Sequence, residues 1–202
     1  MGLLVAVEVD VGRLGLALAL EYVADQLAFE HGVAGADHQL AGVTRPLIEQ
    51  VLLNLPTRIV RRWVVTLPER HEVIRLAEAY GCGVLLLESA GMGDSLAAAV
   101  AASGSAEGWL VVLGDMPFIR SASIERVIDG LAVDGISVPL QAGQYGHPVA
   151  FGRVFGPGLM ALSGDRGAKS LFARAAVHEV VVDDPGVLWD VDVPQSLTFA
   201  PI

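Results

Sequence analysis

At 202 residues, with 53% hydrophobic and 18% charged side chains, the chain is long enough to bury a full core and too apolar to be disordered. Its formal charge of -10 speaks against nucleic acid or an anionic membrane as a partner, although an acidic protein can still hold a nucleotide locally through a bridging metal. The single cysteine, Cys82, excludes an internal disulfide, and no Cys/His cluster offers a zinc site.

Mean hydropathy is +0.55, yet the apolar stretches fall short of the roughly 18 to 20 residues that span a membrane. Residues 14–20 are apolar but run into Glu21 and Asp25, and Arg13 ahead of them is no basic leader region. The expectation is a cytoplasmic protein of one domain, residues 1–202, with residues 1–35 its atypical part. Residues 3–9 suit a first strand, and residues 14–29 have the apolar density of a helix. Gly12, Gly15, Gly32 and Gly35 fit neither the Rossmann nor the P-loop spacing.

Leu47, Ile48, Val51, Leu52 and Leu55 lie at helical spacing. They predict a helix with Thr44 as cap and Pro46 in its first turn, ended by Pro56. Residues 61–68 read as a strand ending at a proline, 69–80 as a helix stopped by Gly81, and 83–88 as another strand. Cys82, between glycines, reads as a buried, inert thiol. The loop 89–94 then leads into an Ala-rich helix over 95–102. Next, Trp109-Leu110-Val111-Val112-Leu113 is apolar without alternation, the mark of a strand buried on both faces. It stops at Gly114-Asp115, and a helix from about residue 123 to 132 follows, with Ser121 or Ser123 as its cap.

Alternating strands and helices imply right-handed crossovers and a mainly parallel sheet covered on both sides. After residue 134 the rhythm changes: residues 136–140 and 148–151 flank 141–147 like a hairpin, or a strand pair with an antiparallel member. A short helix near 155–162, a turn at 164–167, a helix over 168–175 and a strand over 177–182 complete the expected order.

In an open α/β sheet, ligands sit beyond the carboxyl ends of the strands. Asp115 stands there, placed for a divalent cation or a ligand hydroxyl; as a helix cap it lies too far upstream. Asp190 and Asp192 share a side if their segment is extended, and Asp192 could also cap a turn at Pro194. Two carboxylates from separate strand ends, completed by water and phosphate oxygens, make a typical magnesium site. Gly91-Met92-Gly93-Asp94-Ser95-Leu96 is a glycine-bearing strand-to-helix loop whose N–H groups can receive an anion or a base edge. His147 is pinned between Gly146 and Pro148, which pushes it towards extended backbone; a satisfied structural histidine is the plainer alternative. Gly164-Asp165-Arg166-Gly167-Ala168-Lys169 suits either chain reversal or an anionic substrate.

Together Gly91–Leu96, Leu113-Gly114-Asp115-Met116-Pro117-Phe118, Gly146-His147-Pro148-Val149, Gly164–Ala168 and Asp190-Val191-Asp192-Val193-Pro194 resemble, in order, the molybdenum cofactor nucleotidyltransferases. The cytidylyltransferase branch, with its Gly-His-Pro and Gly-Asp-x-Gly-Ala motifs, is the more similar. The resemblance implies a Rossmann-like, three-layer nucleotidyltransferase fold, mostly parallel, with an antiparallel element near residues 136–151. It implies Mg2+ on Asp115 and Asp192. It further implies a nucleotide and a pterin bound among Gly91, Gly93, Ser95, Leu96, Gly114, Gly146, His147, Asp165, Gly167 and Lys169. The implied reaction is attack of a molybdopterin phosphate on the α-phosphate of CTP with release of pyrophosphate, the product passing to a molybdoenzyme.

The opening of the chain departs from that family. A strand followed by Leu-Ala-Ala-Gly-x-Ser-x-Arg-Met-Gly and a lysine is usual; here His38 stands at the lysine position and residues 17–35 hold no Gly-x-Ser-x-Arg. Glu21, Tyr22, Asp25 and Glu30 bring bulk and negative charge instead, and Val193 replaces a threonine. Three readings follow. An active enzyme could hold phosphate through Arg13, His38 or Lys169. A catalytically impaired relative could bind a nucleotide or pterin as chaperone or regulator. An NAD(P)H-dependent oxidoreductase could use the same scaffold, a reading that the missing Rossmann glycine fingerprint weakens.

Overall fold

The computed structural model describes residues 4–8, 16–19, 38–40, 43–59, 61–88, 91–192, 196 and 198–199. In chain order these form β1 (Leu4–Glu8), β2 (Leu16–Ala19), β3 (His38–Leu40), β4 (Val43–Arg45), α1 (Leu47–Asn54), β5 (Arg61–Thr66), α2 (His71–Ala79) and β6 (Gly83–Leu86). There follow α3 (Met92–Ala102), β7 (Gly108–Leu113), α4 (Ser121–Asp129), β8 (Gly135–Gln141), β9 (Gln144–Tyr145), β10 (Val149–Gly152), α5 (Gly156–Met160) and β11 (Ala176–Val181). Tight 3-10 turns run over Arg153–Phe155, Ala168–Arg174 and Pro185–Leu188.

The main sheet has the order β11-β8-β10-β7-β1-β5-β6, with β2 also paired to β7 and β9 to β8; β3 and β4 form a separate ribbon. The ladders orient β2, β5, β6, β7, β8 and β11 one way, and β1, β9 and β10 the other. The architecture is α/β, and the antiparallel element expected near residues 136–151 is β9 with β10. Strand β1 adds a further antiparallel member, running against both β5 and β7.

Strand β7 is buried on both faces, as its unbroken apolar run requires. The two-residue period sends Leu110 and Val112 into the core under α1 and α4, and Trp109 and Val111 into the core under α3 and α5. Trp109 Nε1–H donates to Ser103 Oγ at 3.1 Å, which satisfies the buried indole. Helix α2 ends as expected at Gly81, whose φ of +73° suits glycine, and Cys82 N–H reaches back to the Ala77 carbonyl at 2.8 Å. Burial pushes the Cys82 thiol up to about 11, the inert state read from its neighbours. Ala142 and Gly143, with φ of 49° and 78°, make the tight turn between β8 and β9.

Several expectations are corrected. Leu16–Ala19, inside the helix expected over residues 14–29, is strand β2 in parallel register with β7; a four-residue apolar run carries no period that separates helix from strand. Residues 20–29 lie outside the described residues, as do Gly12, Arg13, Gly15, Gly32, Gly35 and Val193–Gln195. Thr44 belongs to β4 and does not cap α1, where Pro46 holds the N-cap position. Helix α3 starts at Met92 rather than residue 95, with Gly91 at its N-cap. Neither Ser121 nor Ser123 caps α4, which starts from Arg120. The helix expected over 168–175 is the tighter 3-10 form. Among the described residues, no helix is long and apolar enough to cross a membrane.

Candidate active site

The carboxyl ends of β5, β6, β7, β8 and β11 share one edge of the sheet, and β10 enters from that edge behind His147. Asp115, two residues past β7, is 3% exposed. Gly114, also buried, joins it to the strand. The Asp115 carbonyl accepts the Val191 N–H at 2.9 Å, so the 190–192 segment lies along the strand-end loop. Asp190 and Asp192 are exposed there. Partial desolvation raises the Asp192 pKa, and the Asp190 charge and a hydrogen bond between the two carboxyl groups raise it further. Among the described residues, no group of three or more His, Cys, Asp or Glu side chains is arranged to hold a metal.

A buried carboxylate absent from the sequence reading organises this edge. Asp184, 1% exposed, follows β11 and accepts from Ser123 Oγ at 2.6 Å, Arg120 N–H at 2.9 Å and Gly186 N–H at 3.1 Å. It thereby supplies from a distance the cap that α4 lacks locally. The turn it fixes, Pro185–Leu188, presents the Val187 carbonyl, which accepts the His147 N–H at 2.8 Å. A Cβ on Gly146 would sit 2.3 Å from that same carbonyl oxygen, so only glycine lets the two segments meet. The His147–Pro148 peptide is cis.

Desolvation brings the His147 imidazole down to about 4, against a hydrogen bond to the Val111 carbonyl and the Asp190 charge, which both favour the cation. The ring is therefore neutral at pH 7. Since the folded pKa lies below the unfolded value of 6.5, the unfolded chain binds the proton first as pH drops. We expect stability to be flat above about pH 7 and to fall by up to about 3 kcal/mol between pH 6.5 and 4. Urea midpoints across that range, compared with His147→Gln, check this; the same slope in both proteins overturns it.

The two glycine motifs clasp each other. Gly93 N–H, in the first turn of α3, donates to the Gly164 carbonyl at 2.8 Å and so is taken up within the protein. A Cβ on Gly91 would meet Asp165 Oδ1 at 2.3 Å and the Gly164 carbonyl carbon at 2.5 Å, and one on Gly93 would meet the Arg166 carbonyl oxygen at 2.7 Å. The glycines give close approach to the 163–166 turn, while Ser95 Oγ turns back to the Gly91 carbonyl at 3.5 Å.

Beside this clasp lies a cavity of about 700 Å³, within the size range of small-molecule sites. It gathers Leu96, Gly146, His147, Gly167 and Lys169 of the sequence-derived set. Gly91, Gly93, Ser95 and Asp165 build the neighbouring clasp instead, and Asp115, Gly114 and Asp192 stand at the strand edge outside the lining. Sequence reasoning missed Met92, Gln144, Tyr145 and Phe172 in the wall, and Asp184 after β11. The doublet Asp183-Asp184 before Pro185 is a cap signal that could have found the last.

A family model for the MobA-like NTP transferase domain matches residues 37–180. The chain belongs to that family. As a MobA-like domain it is a nucleotidyltransferase, a class of enzyme that generally works with a divalent metal. Among solved structures, the Rv0371c homologue from Mycobacterium sp. strain JC1 is 27% identical, covering 79% of this chain and 83% of that one, with a TM-score of 0.66. A complex of Mycobacterium tuberculosis Rv0371c with manganese is 25% identical over 78% of this chain and 85% of that one, at a TM-score of 0.64. A nucleotidyl transferase from Methanothermobacter (Mth528) shares the fold at 19% identity, 80% coverage of each chain and a TM-score of 0.65. A search of the curated proteins finds no match to the MobA-like chain.

Proposed function

We propose that this MobA-like nucleotidyltransferase, read as one domain over residues 1–202, transfers CMP from CTP to the phosphate of a molybdopterin-type acceptor. An acceptor phosphate oxygen attacks the α-phosphorus, the bond from that phosphorus to the bridging oxygen breaks, and pyrophosphate leaves. The observation that carries this reading is the meeting of buried Asp115 with the Asp190–Asp192 segment at the strand edge, beside the cavity that gathers Gly146, His147, Gly167 and Lys169.

The donor set suits magnesium, which is commonly bound by one or two carboxylates plus substrate phosphate oxygens rather than by a full protein cage. Asp115 and Asp192 would hold it, and the like-charge stress between Asp190 and Asp192 is what a cation relieves. When bound, Mg2+ supplies charge neutralisation to the triphosphate. The remaining work is positioning, with Lys169 meeting an anionic group of the acceptor. The manganese complex of Rv0371c supports a divalent metal in this fold.

The missing opening loop favours a second reading, a relative that binds nucleotide or pterin without turnover. Calorimetric titration of CTP, GTP, ATP and NADPH, each with and without magnesium, separates the two. Magnesium-dependent CTP binding followed by CMP transfer to a pterin phosphate is the expected result. CTP binding without transfer leaves the binding role, and absence of any triphosphate binding sinks the transferase reading. Binding of NADPH alone points to the oxidoreductase.

A further inference from the structure

The cavity has an aromatic flank that the motifs do not account for. Tyr145, on the two-residue strand β9, is 49% exposed. It is not loose, because its hydroxyl donates to Glu179 Oε1 on β11 at 2.5 Å. Its ring lies 6.1 Å from that of Phe172, tilted by 34°. Phe172 is in turn backed edge-on by buried Phe151, at 6.2 Å and 87°. All three rings line the cavity. Lys169 precedes Phe172 by three residues in the Ala168–Arg174 turn, and side chains three apart eclipse on a 3-10 helix. The ammonium and the ring therefore share one face, and both reach the cavity. Among the described residues no Asp or Glu lines it, and none pairs with Lys169.

We propose that Tyr145 and Phe172 form an aromatic platform for a planar nitrogen heterocycle whose anionic substituent pairs with Lys169. Flat π-faces and one cation, in a wall free of carboxylates, select that chemistry over an aliphatic or cationic ligand. The platform rests on the proposed reaction, which offers two such molecules, the pterin acceptor and the cytosine nucleotide.

The test is fluorescence titration of the full chain with pterin-6-carboxylate, alongside calorimetric titration with CTP and magnesium. Tyr145→Leu is expected to weaken one of the two ligands by about fivefold or more, as loss of one stacking face does. Tyr145→Phe, which keeps the ring, stays within about twofold of the parent on the same basis. Lys169→Ala weakens the same ligand and flattens its salt dependence. Tyr145 is half exposed, so its variants keep the fold; thermal melts verify this. The ligand that responds identifies the occupant. Unchanged affinity for both in Tyr145→Leu, or no binding of either to the parent, overturns the platform. CMP transfer without any dependence on Tyr145 counts against the platform alone. Tyr145-dependent pterin binding without transfer counts against the proposed reaction alone.

Discussion

Asp115→Asn is expected to abolish magnesium-dependent CTP binding and to lower CMP transfer by roughly 100-fold or more, since even outer-shell partners of metal ligands cost about 10- to 100-fold. The substitution keeps the size of the side chain and removes its charge at a position 3% exposed, where no solvent charge can substitute. The backbone of Asp115 stays bonded to Val191, so the Asp190–Asp192 segment keeps its place and the loss reports on the carboxylate itself. Binding by calorimetry and transfer by pyrophosphate release are the measurements. An Asn variant that binds CTP with unchanged magnesium dependence removes Asp115 from the metal site.

Asp184→Ala is the second large effect, this time on stability. It strands the Arg120 N–H, the Ser123 hydroxyl and the Gly186 N–H, each bonded to a carboxylate that is 1% exposed. Hydrogen bonds to a charged group contribute about 1.5 to 3 kcal/mol each and do not add fully, which sets the expected loss at about 3 to 5 kcal/mol. Arg120 adds little through charge, because its side chain is 62% exposed and its Nε stands 3.8 Å from Asp184 Oδ1. Urea unfolding measures the loss, and a change under about 1 kcal/mol refutes the role given to Asp184. Pterin and CTP affinities should fall in the same variant, since the Val187 carbonyl that holds His147 is fixed by this turn.

The fold was legible where the sequence speaks locally. The apolar run from Trp109 to Leu113, stopped at Gly114, reads as a strand buried on both faces and is one, and Gly81 ends α2 through its left-handed backbone. Elements failed where composition and geometry part company. Gly-Met-Gly-Asp reads as loop because glycine disfavours helix, but Gly93 is inside α3 so that the helix can approach the 163–166 turn. Thr44 looks like a cap by residue type, while Pro46 already holds the N-cap position. The candidate site was legible as ordered motifs and opaque as an assembly. His147 and Lys169 were visible in theirs; Tyr145 and Phe172 sit in no motif and meet only through tertiary packing. Asp184 acts on residues about sixty positions away, beyond any local pattern.

The 184–192 segment has a consequence for biosynthesis. It carries the contacts that join Asp115 to Val191, Arg120 and Ser123 to Asp184, and His147 to Val187. During vectorial synthesis, β7 and the hairpin leave the ribosome well before the segment that locks them together. The bonds to Asp184, Val187 and Val191 are therefore absent from every nascent chain that stops short of those residues.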